Sequence, residues 1–161
     1  MLAKCKYIAL VSWVLAICKW RGQISVMRNS DSCRSHCPIN YFLETFGDAW
    51  SLLIVRDLMF NGKSSYRAFK ESAEGVSTNI LADRLKRLEE HGVIEKAVSE
   101  ENRSSFVYSL TDKGRDLAAV MLEVTAWSVR HDPSTNAPKS FSDDFARDKD
   151  AIINFAKGKS G

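Results

Sequence analysis

One stretch, from Val76 to Gly114, limits what this chain can fold into more than any other. It opens Val-Ser-Thr-Asn-Ile-Leu-Ala-Asp-Arg-Leu-Lys-Arg-Leu-Glu-Glu-His-Gly-Val-Ile-Glu-Lys, passes through a polar turn, and closes Phe-Val-Tyr-Ser-Leu-Thr-Asp-Lys-Gly. Leu81, Leu85 and Leu88 recur at i, i+4 and i+7, which is one apolar stripe on a helix and cannot be one face of a strand. Ser77 suits the N-cap, where its hydroxyl accepts from an orphan amide of the first turn. Gly92 comes after the last turn, where a left-handed residue stops a helix, and Val93 and Ile94 return to the core. The face opposite the leucines carries Asn79, Asp83, Lys86 and Glu90, flanked by Ala82 and Arg87. Asn, Lys and Arg near a helix start are the side chains that read adenine or guanine edges or hold phosphates. The plain alternative is the solvated face of an ordinary surface helix.

The residues after the helix favour nucleic-acid contact. Ile94 to Val98 and Phe106 to Leu110 are short β-prone runs, with Ile94, Lys96, Val98 and Phe106, Tyr108, Leu110 alternating with their neighbours. The polar segment between them, Ser-Glu-Glu-Asn-Arg-Ser-Ser, puts Arg103 near the tip of a hairpin, a position suited to a phosphate or a minor groove. Glu100 and Glu101 beside it oppose that use, since they repel phosphate. Thr111 caps a further helix, with Asp112 in its first turn. Helix, hairpin, helix is the order of a winged helix-turn-helix. The expected fold is therefore mainly α with a small β-wing: a three-helix core, a two-stranded hairpin and a long C-terminal dimerisation helix.

The partner elements lie upstream. Pro38 suits the first position of a short helix ending near Phe46 and Gly47. Asp48 caps Ala49 to Phe60, which Asn61 and Gly62 stop. Ser64 or Ser65 starts Tyr66 to Ala73, with Tyr66 and Phe69 as core candidates, and the Glu74-Gly75 turn leads into the Ser77 helix. Two helices joined by so short a turn form the helix-turn-helix. Trp50, Leu52, Leu53, Val55 and Leu58 could line an effector pocket, but core packing against the Leu81 stripe is the simpler expectation.

Four segments in this order resemble the HxlR-type winged helix-turn-helix transcriptional regulators of bacteria, which are related to the MarR group. They are Cys-Pro-Ile-Asn-Tyr, Phe-Gly-Asp-Ala-Trp-Ser-Leu-Leu-Ile-Val-Arg-Asp-Leu, Ile-Leu-Ala-Asp-Arg-Leu-Lys-Arg-Leu-Glu-Glu-His-Gly-Val-Ile and Tyr-Ser-Leu-Thr-Asp-Lys-Gly, between Cys37 and His131. The resemblance implies a homodimer on a roughly palindromic double-stranded DNA operator, with dimer contacts from the first helix, including Tyr41, and from the C-terminal helices. It implies that the Ser77–His91 helix reads bases through Ser77, Thr78, Asn79, Asp83, Lys86 and Arg87, with Arg103 on the wing. It also implies that Cys37 can sense quinones, aldehydes or oxidants, as some of these regulators do. The alternative is a winged-helix protein-interaction module that has lost sequence-specific DNA binding, which Asp83, Glu90 and the wing glutamates make conceivable.

Charge bears on this directly. The formal net charge is +3, but the first 26 residues hold four of the 23 basic side chains and no acid, so residues 27–161 carry 19 basic against 20 acidic. Attraction to phosphate must then come from local placement, and binding should weaken steeply with salt. Enzymatic motifs find little support in the sequence: it has no glycine-rich phosphate loop, no nucleophile elbow and no paired carboxylates with an obvious cleft. No enzyme activity and no cofactor are expected.

The 12-residue apolar run from Tyr7 to Cys18, behind Lys4 and Lys6, resembles the front of a signal peptide. It is short for a membrane span, and Lys19, Trp20 and Arg21 come next in place of a small-x-small cleavage site. The expectation is that 1–26 is a leader preceding a true initiator at Met27, that 27–36 is a flexible arm, and that the protein is cytoplasmic with no membrane partner. Cys33, His36 and Cys37 offer too few ligands, too closely spaced, for a structural zinc site, so no metal is expected. Cys37 precedes a helix N-terminus with Arg34 nearby, an environment that favours thiolate, and oxidation of Cys37, within the dimer or to Cys33, would shift the first helix.

Leu117, Val120, Met121, Val124 and Trp127 keep helical spacing over what reads as one long helix. In so small a chain such a helix is expected to bury its stripe against a partner copy; the alternative is that the C-terminal tail covers it. Asp132 to Pro138 reads as a linker, so the domain runs over 37–131, with 132–161 as linker and C-terminal helix. Phe145, Ile152 and Ala156 lie on one side of that helix, expected on the dimer seam.

Overall fold

The computed structural model describes residues 35–100, 102–138 and 140–158. The leader expected over 1–26, most of the arm, and Cys33 lie outside the described residues. The described residues up to Glu44 and those from Thr45 onward belong to two compact units.

In the first, Pro38 opens α1 (Pro38–Phe46), which continues two residues past the unit's end. Cys37 stands just before it, and its carbonyl accepts the first helical bond from the Tyr41 amide at 3.0 Å. Asn40 donates to Glu44 one turn on, at 2.6 Å. Ile39, Tyr41 and Leu43 are exposed.

The second unit runs α2 (Ser51–Phe60), α3 (Tyr66–Lys70), α4 (Thr78–Glu90), β1 (Ile94–Val98), β2 (Phe106–Leu110), α5 (Asp112–Arg115), α6 (Ala118–His131), α7 (Phe141–Arg147) and α8 (Lys149–Gly158). Leu81, Leu85 and Leu88 of α4 are buried, as are Ile54, Val55 and Met59 of α2 and Phe69 of α3. Helix α2 packs on α4, the hairpin, α6 and α8, so it is the post around which the unit is built. The side of α2 that is buried differs from expectation. Val55 is fully enclosed, but Trp50, Leu52, Leu53 and Leu58 are half-exposed, and Ser51, Ile54, Asp57 and Met59 take the inner positions. The cleft that Trp50, Leu53 and Phe69 do line has a volume of about 20 Å3, room for one water and not for an organic effector.

Asp48 caps α2 as its position predicts, accepting from the Trp50 and Ser51 amides at 2.8 and 3.0 Å, although the regular helix begins at Ser51. The hairpin pairs antiparallel, with Ile94 opposite Leu110, Lys96 opposite Tyr108 and Val98 opposite Phe106. At its base Ile94, Tyr108 and Leu110 are buried, whereas Val98 and Phe106 are exposed, so the hairpin leaves the core as it extends. The segment before α3 adds a further bridge, Ser65 to Val107, with the Tyr108 amide donating to the Ser64 carbonyl at 2.7 Å.

The single long helix expected after Thr111 is two. Thr111 caps α5 by accepting from the Gly114 amide at 3.1 Å, and its hydroxyl donates to the Gly92 carbonyl at 2.7 Å. This pins α5 to the end of α4, where Gly92 adopts φ 65° to stop the helix. The Leu117 amide then bonds back only three residues, to Gly114, and the chain bends before α6. As a result Leu117 and Met121, read from sequence as dimer contacts, are spent on the chain's own core. Val120, Val124 and Trp127 stay exposed.

The tail follows the alternative reading, in which it covers the long helix, rather than the dimer seam. It forms two helices, broken at Asp148, and they pack on the chain's own α6. Phe145 and Ala156 are buried there. Lys149 pairs with Glu123, and Lys157 with Asp116 at 2.7 Å, so α8 runs antiparallel to α6. Both ion pairs are largely open to solvent, so burial of Phe145 contributes more than either, about 2 kcal/mol against less than about 1.

Gly114 marks the tightest joint. A Cβ there would overlap the Val93 carbonyl oxygen and crowd Leu110, both of them fixed by the hairpin base. Gly114→Ala is expected to destabilise the fold by about 1–3 kcal/mol in urea unfolding, whereas Gly158→Ala, which meets nothing, should be neutral.

Candidate nucleic-acid interface

Helices α3 and α4 are both capped by serine. Ser65 accepts from the Ala68 amide at 3.2 Å, and Ser77 from the Ile80 amide at 3.4 Å. Two side chains of α3 then tie down the start of α4. The Tyr66 hydroxyl donates to the Thr78 carbonyl at 2.9 Å, and the Lys70 ammonium to the Val76 carbonyl at 2.7 Å. Tyr66, expected in the core, is half-buried and serves as this strut; Phe69 alone is in the core.

Beneath the turn lies a buried carboxylate that sequence reading did not single out. Asp57 of α2 accepts from Arg56 at 2.7 Å, Asn61 at 2.7 Å and Lys63 at 3.0 Å, and from the Ser72 hydroxyl just before the turn. Its backbone carbonyl takes the Asn61 and Lys63 amides. Arg56 also holds Glu74 inside the turn. Burial by itself would raise the Asp57 carboxyl, but the bonds from Ser72, Lys63, Arg56 and Asn61 outweigh it and bring it to about 2. The same Arg56 bond draws Glu74 down and, with Asp57, holds the guanidinium charged. The one hint in the sequence is that Asp57 falls within the run of apolar positions from Ile54 to Met59.

A second clasp joins α4 to the start of α2. Arg84 lies beside the leucine stripe and reaches Asp48 at 3.1 Å, while also contacting Asp83. Burial would raise Asp48 too, yet the Ser51 hydroxyl, the Trp50 and Ser51 amides and Arg84 together lower it. Arg84 is thus held between two carboxylates, its Nε close to Asp48 without hydrogen-bond geometry and its Nη1 on Asp83.

The expected reading face of α4 is exposed throughout. Ser77, Thr78, Asn79, Ala82, Asp83 and Lys86 all face solvent, and Arg87 is half-buried. Asp83 is engaged by Arg84 at 2.5 Å, and Lys86 lies 3.7 Å from Glu90. Among the described residues Thr78, Asn79, Arg87 and Arg103 make no side-chain hydrogen bond or ion pair. Arg103 sits at the hairpin tip, where Asn102 organises the turn by accepting from the Ser104 and Ser105 amides. Lys96 lies over the Phe106 ring at 3.8 Å, keeping a positive charge on the hairpin. Arg67 of α3 is almost fully exposed beside Glu71, another cation that sequence reading passed over.

The remaining predicted residues lie at or within α1 and α6. Tyr41 and Cys37 belong to the first unit, Cys37 half-buried at the head of α1. Val120, Val124 and Trp127 form an exposed strip on α6, with the Trp127 ring 4.7 Å from that of His131. Among the described residues there is no cluster of His, Cys, Asp or Glu that could hold a metal ion, and no helix long and apolar enough to cross a membrane.

A capped helix pair joined by a turn, with a two-stranded hairpin beside the second helix, defines a winged helix-turn-helix. The family model described as HxlR-like helix-turn-helix matches residues 45–136, and the chain belongs to that family. The HTH-type transcriptional regulator YodB of Bacillus subtilis is 37% identical over 93 residues, covering 57% of this chain and 82% of that protein. The structure of YodB in its reduced form superimposes with a TM-score of 0.51 at 30% identity, covering 63% of this chain and 100% of that one. PA1607, a candidate transcription factor, gives 0.58 at 37% identity over 65% of this chain and 72% of its own. A MarR-family regulator from Porphyromonas gingivalis gives 0.52 at 26% identity over 63% and 96%. This chain is accordingly a DNA-binding transcription regulator of helix-turn-helix type, and not an enzyme.

The Asp57 cluster makes stability depend on pH. Its carboxyl titrates at about 2 in the fold against 3.8 ordinarily, so the fold favours the ionised form. That contribution, about 2 kcal/mol, is complete above about pH 5 and is lost as pH falls through 4 towards 2. Asp57→Asn should therefore lower stability at neutral pH, and the gap from wild type should shrink by roughly half on going to about pH 3. Urea midpoints measured across that range decide it; a constant gap would assign the contribution elsewhere.

Proposed function

We propose that the chain is a cytoplasmic homodimer that binds a roughly palindromic operator, with α4 in the major groove and the β1–β2 hairpin as its wing. The working unit is the domain over 37–131, with 132–161 following as linker and helical tail. The observation that carries the reading is the fully exposed arc of α4 from Thr78 to Lys86, held from behind by Tyr66, Lys70 and Arg84. A helix meant only for solvent needs no such bracing. Arg67, Lys70, Arg87, Lys96 and Arg103 supply the local positive charge that the composition withholds from the domain as a whole.

Dimerisation is assigned to the exposed strip of Val120, Val124 and Trp127, with Tyr41 of α1 as a further contact. The apolar strip gains by leaving water, and two-fold pairing sets two copies of α4 at a fixed spacing on the duplex. Val124→Asp is expected to leave the single chain folded, with an unchanged far-UV circular dichroism spectrum, because the residue is about half exposed there. It should shift sedimentation from dimer to monomer and weaken binding to the DNA beside its own gene in a gel shift. Wild-type affinity should fall steeply as salt is raised. A wild-type protein that stays monomeric and ignores duplexes at low salt would favour the interaction-module alternative instead.

Cys37 adds a redox response to this reading. It heads α1, a helix continuous to Phe46, and the similar regulator YodB is a protein whose structure is described in a reduced form. Oxidation of the Cys37 thiol by diamide, forming a disulfide within the dimer or with Cys33, alters the head of that helix. Diamide treatment is expected to change operator affinity in the wild type and to leave Cys37→Ser unaffected; equal responses from both would reject the sensor.

A further inference from the structure

We infer that the base pairs facing the first two turns of α4 are A·T, with Asn79 reading adenine and Thr78 and Ala82 packing on thymine methyl groups. The inference rests on the regulator reading above and specifies the duplex it takes.

Thr78, Asn79, Ala82, Asp83 and Lys86 share one exposed arc of α4, and elimination among them leaves little choice of base. Guanine is read by a bidentate Arg or Lys on its O6 and N7. The one arginine within Thr78–Arg84 is Arg84, and it is turned to Asp48 at the start of α2, on the far side of the leucine stripe from this arc. Lys86 and Arg87 lie beyond the first two turns, with Lys86 3.7 Å from Glu90 and Arg87 half-buried, so both are assigned to phosphate. Cytosine offers its N4 amine to a carboxylate, but Asp83 is already engaged by Arg84 at 2.5 Å. That contact also neutralises a charge that would otherwise repel the phosphates flanking the groove.

On the first two turns of this arc, the side chains left uncommitted are Thr78, Asn79 and Ala82. Asn79 is exposed, and its amide has no partner among the described residues. Its oxygen and nitrogen match the adenine N6 amine and N7 in one bidentate pair. Thr78 and Ala82 present methyl groups, which make apolar contact with the C5 methyl of thymine. They are four residues apart, about 6 Å along the helix, or roughly two base-pair steps. The readout is therefore a short A·T core in each half-site, and the two α4 helices of the proposed dimer repeat it. The struts from Tyr66 and Lys70 to the Thr78 and Val76 carbonyls fix these three side chains at the groove floor.

The test selects duplexes from a randomised pool with the purified full chain at low salt, then measures affinities of the selected site by fluorescence anisotropy. The expected result is a two-fold repeat with A·T at the contacted core positions. Asn79→Ala should reduce discrimination for adenine over guanine at one position of each half-site by roughly tenfold, with no change in melting temperature. Replacing thymidine by deoxyuridine at the core, which leaves the protein untouched, should weaken wild-type binding several-fold, roughly as one lost methyl contact does. G·C pairs at the core, unaltered discrimination in Asn79→Ala, or indifference to deoxyuridine would each overturn the inference while leaving the regulator reading intact. Selection of no duplex at all would overturn both.

Discussion

The Asp57 carboxylate is enclosed by protein, and a charge so placed is tolerable only if its oxygens are fully engaged. The groups that engage it come from α2 itself, from the loop after α2, and from the segment just before α4. The cluster therefore does more than satisfy a buried charge. Pairs of this kind add little net stability compared with apolar packing, but they are intolerant of displacement. A helix-turn-helix needs that property, since its second helix must meet a groove at a fixed angle. The apolar stripe of α4 supplies the driving force for docking, and Asp57, with the Arg56–Glu74 pair, supplies the register of the turn.

The same division of labour holds on α4. Leu81, Leu85 and Leu88 hold the helix down, Arg84 locks it to the cap of α2, and the outer arc is left unencumbered. Residues 27–161 carry a slight excess of acid, so long-range attraction to DNA is weak and the placement of a few cations decides the matter. Those cations are spread over three elements, α3, α4 and the hairpin, and short-range bonds aim several of them. In the proposed complex, affinity and base choice then come from different side chains: Arg67, Arg87 and Arg103 for phosphate, and Thr78, Asn79 and Ala82 for bases.

The far end of the domain shows how a tail reshapes an interface. Helices α7 and α8 lie beyond the family match and cover one side of α6, burying Phe145 and Ala156 and pairing Lys149 and Lys157 with Glu123 and Asp116. This narrows what α6 can offer to a second copy. Of the five predicted contacts, Val120, Val124 and Trp127 are exposed, whereas Leu117 and Met121 are buried in the chain's own core.

Much of the architecture was legible in the residues alone. The caps at Ser65, Ser77 and Thr111, the stop at Gly92, the bounds of both strands and the exposed arc of α4 all come from signals acting over a few residues: hydroxyls satisfying nearby amides, apolar periods, and a glycine free to adopt positive φ. The rest was decided by groups far apart in the chain. Asp57 looks like an ordinary helical acid until Lys63 and Ser72 close around it. Arg84 looks like one more surface cation until Asp48 claims it. The expected long helix is two, with Gly114 packed close against the Val93 carbonyl in the first, and the tail finds its place against α6. Periodicity assigns a side chain to a face; which partner that face meets depends on three-dimensional packing, and no local pattern encodes it.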